Sequence, residues 1–155
     1  MAQAGTGNRP LSPHLMDGMR LHYKWGAHML VSILHRVTGN GLALGGLAVL
    51  LWWLGSLASG PEAYATFTAW MWADLGALEW SGFGAIVGSL VKILLKLVLI
   101  GLSWAFFTHM ASGIRHFVLD IGAGYELKGN RKGSLLSMIG AVVLTAGFWA
   151  FLLLR

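Results

Sequence analysis

Residues 97–114 read LVLIGLSWAFFTHMASGI, eighteen consecutive positions without Asp, Glu, Lys or Arg. About 20 such residues cross a hydrocarbon core as a helix. Two more charge-free stretches flank this one. Residues 37–61 contain the run LALGGLAVLLWWLGSLA, and residues 133–154 read GSLLSMIGAVVLTAGFWAFLLL; they span 25 and 22 positions. Only helices and closed barrels satisfy the backbone in lipid, and the alternation of a barrel strand is missing. The expected fold is therefore all-α, an integral membrane bundle of three transmembrane helices. Composition agrees: of 155 residues, 56% are hydrophobic and 11% charged, against about 25% charged in soluble domains. A soluble enzyme, a disordered tail and a DNA-binding module are excluded. The net charge of +5 is spread between apolar stretches rather than gathered in one patch, so no nucleic-acid partner is expected. With no cysteine, the chain alone builds no disulfide, thiolate zinc site or iron–sulfur cluster.

Arg9, Arg20, Lys24 and Arg36 precede or open the first span, and Lys128, Arg131 and Lys132 lie between the second and third. The first connection instead carries Glu62, Asp74 and Glu79. The positive-inside rule places the N-terminus and the 120–132 loop in the cytoplasm and the C-terminus, with Arg155, in the periplasm. The chain is read as a single membrane-anchor domain, 1–155. Residues 1–26 form a cytoplasmic N-terminal segment, and the spans cover about 27–58, 84–120 and 133–154. Trp70, Trp72 and Trp80 suit an interfacial segment, and Lys92 and Lys96, four apart, suit snorkelling at the outer end of the second span. No signal or Arg-rich transit sequence is read before the first span, which favours a bacterial inner membrane over a mitochondrial one.

Ionisable groups inside a span are costly and mark function. His109 is the deep one, six residues from Arg115, or about 9 Å at 1.5 Å per residue. A neutral imidazole there is either an axial ligand of haem iron or a histidine hydrogen-bonded across a helix interface. Gly113, at i+4, lets a bulky group approach beside it. At the inner end of the first span, Ser32, His35 and Arg36 share a helical face. They suit either the carbonyl head of a quinone or an arginine snorkelling to phosphate. Arg115, His116 and Asp120 form a polar rim: Arg115 and His116 are candidate haem-propionate contacts, and Asp120 either orients one of them or closes a local ion pair. Gly41 and Gly45 form a GxxxG packing face.

By rise along the helix, His35 and His116 are expected nearer the inner edge than His109, while His14, His22 and His28 precede the membrane. A second axial ligand is therefore expected from another polypeptide, which makes this chain half of a membrane heterodimer. No flavin motif, cluster ligands or catalytic dyad are present, so the chain has no catalytic residues of its own and does not oxidise a substrate alone. No acidic residue lies deep in a span, and nothing points to a proton pump.

Three motifs together, Arg9-Pro10-Leu11-Ser12-Pro13-His14-Leu15, Ser32-Ile33-Leu34-His35-Arg36-Val37-Thr38-Gly39 and His109-x3-Gly113-Ile114-Arg115-His116 with Asp120, resemble the cytochrome b membrane-anchor subunit of succinate dehydrogenase (complex II) over residues 9–155. The resemblance implies that His109 is an axial ligand of one haem b and a second small anchor subunit gives the other ligand. It also implies that Ser32 and Arg36 help bind ubiquinone and that His35 lies near a haem propionate. A flavoprotein would oxidise succinate and an iron–sulfur subunit would pass electrons to the quinone. Two features depart from the family pattern: the segment between His14-Leu15 and Tyr23-Lys24-Trp25 is about five residues longer, and Lys92 and Lys96 have no place in it. The alternatives are the anchor of a fumarate reductase using menaquinol and a haem-free structural anchor. A small transporter is disfavoured because inverted repeats and broken helices are absent.

Overall fold

The computed structural model describes residues 26–154 and, ahead of them, the backbone of a two-residue strand pair. The strands are β1 (Met16–Asp17) and β2 (Arg20–Leu21), antiparallel with Met16 opposite Leu21. The Arg9–Leu15 motif, the rest of the longer segment up to Trp25 and Arg155 lie outside the described residues.

Four main helices follow: α1 (Ala27–Ser59), α2 (Pro61–Met71), α3 (Phe83–Asp120) and α4 (Leu127–Leu154). Three of them, α1, α3 and α4, are long and apolar enough to cross a membrane. At 38 residues α3 runs about 57 Å, nearly twice a hydrocarbon core. It therefore carries residues well beyond the lipid. The third charge-free stretch opens at Gly133, but α4 starts six residues earlier, at Leu127. Lys128, Arg131 and Lys132 occupy its first turns, where long cationic side chains reach water without breaking the backbone ladder.

α1 and α2 meet at Gly60, whose φ of 105° and ψ of −177° belong to a region that only glycine occupies without strain. Pro61 then opens α2 at a position where its missing N–H costs no helical bond. A 3-10 turn, Leu75–Ala77, leads toward α3, with the Asp74 carboxylate accepting the Gly76 N–H at 2.8 Å. Within α1, residues Leu42–Gly46 form a π-helical segment.

α3 packs against both α1 and α4, and α1 and α4 also touch each other. Small and hydroxylated residues fill the interior. Thr38 and Ser56 of α1, Ser89, Ala105, Thr108 and Ser112 of α3, and Ser134, Ala141 and Thr145 of α4 are buried. Large side chains such as Leu44, Phe83 and Leu136 point outward. This inverts a soluble core and is the pattern of helices that associate in lipid, where close backbone approach replaces hydrophobic burial. Several interior hydroxyls bond within their own helices: Ser112 to the Thr108 carbonyl at 2.7 Å, Thr145 to Ala141 at 2.7 Å and Ser134 to Asn130 at 2.9 Å. Ser89 instead donates to the Glu79 carbonyl ahead of α3 at 2.7 Å, and Thr108 Oγ1 is buried without a partner. Of the GxxxG pair, Gly45 faces α3, where an added Cβ would stand 3.4 Å from Leu102. Gly41 has no atom within 4 Å.

Candidate functional site

α1 and α3 run antiparallel, with Gly45 beside Leu102 and His35 beside His109. The His35 and His109 rings stack at 4.0 Å between centroids, 10° from parallel. The His109 Nδ1 lies 3.1 Å from the backbone carbonyl of His35, and a carbonyl only accepts, so Nδ1 carries a proton; in the neutral ring Nε2 then keeps its lone pair. The His35 Nδ1 lies 2.7 Å from Ser112 Oγ. With the Ser112 hydrogen on the Thr108 carbonyl at 2.7 Å, the serine oxygen accepts from His35 Nδ1. A backbone carbonyl holding Nδ1–H is the usual means of orienting a metal-ligating histidine.

Gly39, one turn after His35, makes room for this arrangement. A Cβ there would stand 2.9 Å from His109 Cε1, closer than any ordinary contact. Beside the rings opens a groove of about 480 Å³, bordered by His35, His109, Met110, Gly113, His116 and Phe117 among others. A methyl on Gly113 would come no nearer than 4.0 Å to His35 Cε1, so the glycine leaves this wall low. The His116 ring lies 5.1 Å from that of His35. Helical side chains lean toward the helix N-terminus, so His116 leans back along α3 from its own Cα toward the pair.

The expected depth of His35 is corrected here. Counting rise along the helix placed it nearer the membrane edge than His109, yet the two rings are in contact. Rise locates Cα atoms and ignores the reach of two facing side chains. Rings stacked face to face do not point their nitrogens at each other, so His35 and His109 do not clamp one metal between them.

The remaining sequence-selected residues do not line this groove. Arg115 turns away from it toward α4, where its guanidinium donates to Asn130 Oδ1 and its Cδ packs near Gly133; its Nε is buried without a protein partner. Ser32 is half-buried and Arg36 exposed on the neighbouring strip of α1, and neither borders the histidine groove. Asp120 is exposed at the last turn of α3. Sequence reading missed Ser112, Gly39 and Asn130. Ser112 is 1% exposed and sits at i+3 from His109, and Gly39 sits at i+4 from His35. A polar or minimal residue one turn from each histidine was the available signal.

Among the described residues, no cluster of three or more His, Cys, Asp or Glu is arranged to hold a metal ion by itself.

Residues 5–148 match the family described as succinate dehydrogenase/fumarate reductase transmembrane subunit. The chain is 33% identical over 144 residues to the succinate dehydrogenase cytochrome b556 subunit of Paracoccus denitrificans, covering 93% of this chain and 92% of the relative. It is 29% identical over 141 residues to the protein of that name in Rickettsia felis, covering 91% and 90%. To the mitochondrial succinate dehydrogenase cytochrome b560 subunit of Mus musculus it is 29% identical over 149 residues, covering 94% of this chain and 72% of the relative.

Proposed function

The chain belongs to the succinate dehydrogenase/fumarate reductase transmembrane-subunit family, and from that premise we propose that it is one of two small subunits anchoring a succinate:quinone oxidoreductase. In this reading His109 is an axial ligand of a single haem b, and the second anchor subunit gives the opposite ligand. Ser32 and Arg36 form part of a ubiquinone site. The observation that carries the reading is the His109 ring, tied by Nδ1–H to the His35 carbonyl with Nε2 left bare beside an open groove.

When bound, the haem supplies a one-electron carrier and a rigid plate between the two anchors. This chain's residues orient and surround it. The His35 carbonyl fixes the ring plane of His109. Gly39 and Gly113 keep the space beside the rings clear of side chains. His116 presents an imidazole at the groove wall, where haem propionates need donors, and His35 borders the same wall. Arg115, bonded to Asn130, braces α3 against α4 and lends its charge to the same end. Ser32 and Arg36, on the adjacent strip of α1, offer a hydroxyl and a guanidinium to the quinone's carbonyl oxygens. They would stabilise the negative charge that develops as the head is reduced.

Arg9, Arg20 and Lys24 ahead of α1, Arg36 within it and the basic start of α4 support an orientation with the N-terminus in the cytoplasm and the C-terminus in the periplasm. The histidine end then faces the iron–sulfur and flavoprotein subunits that deliver electrons from succinate. The Paracoccus and Rickettsia relatives support a bacterial inner membrane. Their names also favour succinate oxidation over the fumarate-reducing direction.

The test is a dithionite-reduced minus oxidised spectrum of the purified complex. A b-type α-band that disappears in His109→Ala supports the ligand assignment, and an unchanged band removes it. In parallel, Arg36→Ala should slow succinate-dependent quinone reduction about tenfold or more, on the scale of a lost charged hydrogen bond, while electron transfer to a soluble dye is retained.

A further inference from the structure

The other end of α3 carries charges that the histidine groove does not use. Lys96 precedes Arg115 by 19 residues on α3, or about 28 Å, so the two cations stand one hydrocarbon thickness apart. Lys96 thus lies at headgroup depth in the leaflet opposite the histidines. Its ammonium is 5.6 Å from the centroid of the Trp72 ring; one turn before it, Lys92 is 5.8 Å from that of Trp70.

Lys96 borders a cavity of about 460 Å³, with Asp74 at the same opening and Ile100, Trp149 and Leu153 along the wall. The Asp74 carboxylate holds the Gly76 N–H and the Lys96 ammonium faces Trp72. The two opposite charges share one opening without closing into an ion pair. Ile100, Trp149 and Leu153 also line a second trough of about 390 Å³, almost wholly apolar, that continues between α3 and α4 past Trp104 to Val142. Trp104 is eight residues beyond Lys96, about 12 Å deeper into the bilayer. A cation and an anion at an interfacial opening, above an apolar trough directed into the membrane, match an amphiphile whose head carries both charges.

We propose that this is a binding site for a zwitterionic amine phospholipid of the phosphatidylethanolamine type, with its phosphate on Lys96, its ammonium on Asp74 and one acyl chain in the trough between α3 and α4. An anionic glycerol headgroup satisfies Lys96 but offers Asp74 only neutral hydroxyls in place of an ammonium. A choline headgroup carries the right charge but has no N–H to donate to the carboxylate.

The experiment uses the intact purified complex, stripped of lipid in detergent and titrated with dioleoyl phosphatidylethanolamine, phosphatidylcholine or phosphatidylglycerol, with bound lipid counted by native mass spectrometry. The wild type should bind one phosphatidylethanolamine about tenfold more tightly than either competitor, as expected for one charge-assisted hydrogen bond gained. Asp74→Asn should erase the preference over phosphatidylcholine. Lys96→Gln should weaken all three, and Lys92→Gln, whose side chain lies outside this cavity, should bind as wild type does. Equal affinity for the three lipids in the wild type overturns the proposal without recourse to any variant. So does retention of phosphatidylethanolamine by Lys96→Gln and Asp74→Asn at wild-type strength, or recovery of a quinone instead of a lipid from this site.

Discussion

The two ends of α3 hold polar side chains in lipid by different means. Around His109 every contact is directional: Nδ1 to a backbone carbonyl at 3.1 Å, His35 to Ser112 at 2.7 Å, and a stacked ring pair 4.0 Å apart. Each imidazole is held in one orientation. Around Lys92 and Lys96 the ammonium groups face indole rings 5.6 to 5.8 Å away, an attraction that leaves all three N–H donors of each lysine available. The first arrangement suits a site that must position a ligand atom without reorganising. The second suits one where a mobile cation meets a passing headgroup. Both ends lie on the same helix, so the difference comes from what packs against it: α1, with glycine and small polar residues, at one end, and the Trp-bearing α2 with its following turn at the other.

The sharpest way to break this contrast is Gly39→Ala set beside Gly55→Ala in the same helix. The first drives a methyl to 2.9 Å from an imidazole carbon that its Nδ1 bond holds in place. Overpacking of this kind costs about 1–3 kcal/mol. We expect lower thermal stability of the complex and a weakened haem band. Gly55 has no atom within 4 Å, so alanine there should be neutral or stabilising by up to about 1 kcal/mol through helix propensity. Equal losses at both positions would mean that the histidine end is no more tightly fitted than the rest.

Ser112→Ala should come next. It leaves His35 Nδ1–H buried without an acceptor, at about 1–2 kcal/mol, and frees the ring to change tautomer. The expected signature is a shifted haem midpoint potential with haem content largely kept, and partial recovery in Ser112→Thr. An unmoved potential would remove the serine from the site.

The smallest effect belongs to a side-chain bond between α3 and α4 toward the lysine end, Trp149 Nε1–H to Ser103 Oγ at 2.8 Å. A double-mutant cycle of Trp149→Phe with Ser103→Ala should give a coupling of about 0.6 kcal/mol, the average for such bonds between membrane helices. A coupling as large as that at Ser112 would erase the difference between the ends.

The three membrane-crossing helices were legible because the absence of charge over some 20 residues has one physical meaning in lipid. Their ends were less so. Lys128, Arg131 and Lys132 look like a loop in sequence and are the first turns of α4, because a helix tolerates cations wherever their stems can reach water. His109 was found because an imidazole amid apolar residues is conspicuous. Its relation to His35 was not, since 74 residues separate them and only antiparallel packing brings the rings together. Ser112 was hidden for a related reason: a serine in a membrane helix usually bonds its own i−4 carbonyl, and sequence does not tell which one also accepts from a neighbouring helix. Arg115 shows the converse, since its motif neighbours suggested the groove while Asn130, 15 residues on, takes its guanidinium.

The π-helical segment at Leu42–Gly46 lies between the part of α1 that carries His35 and Gly39 and the part where Trp52 meets Phe67 edge-on at 5.1 Å. One residue more than an α-helix needs rotates everything beyond it by about 100° about the axis. α1 thus behaves as two rotors on one shaft, each with its own angular setting. The histidine face keeps its aim while the tryptophan face is turned independently toward α2. A single straight α-helix would have to compromise between the two bearings, and this extra residue removes the compromise.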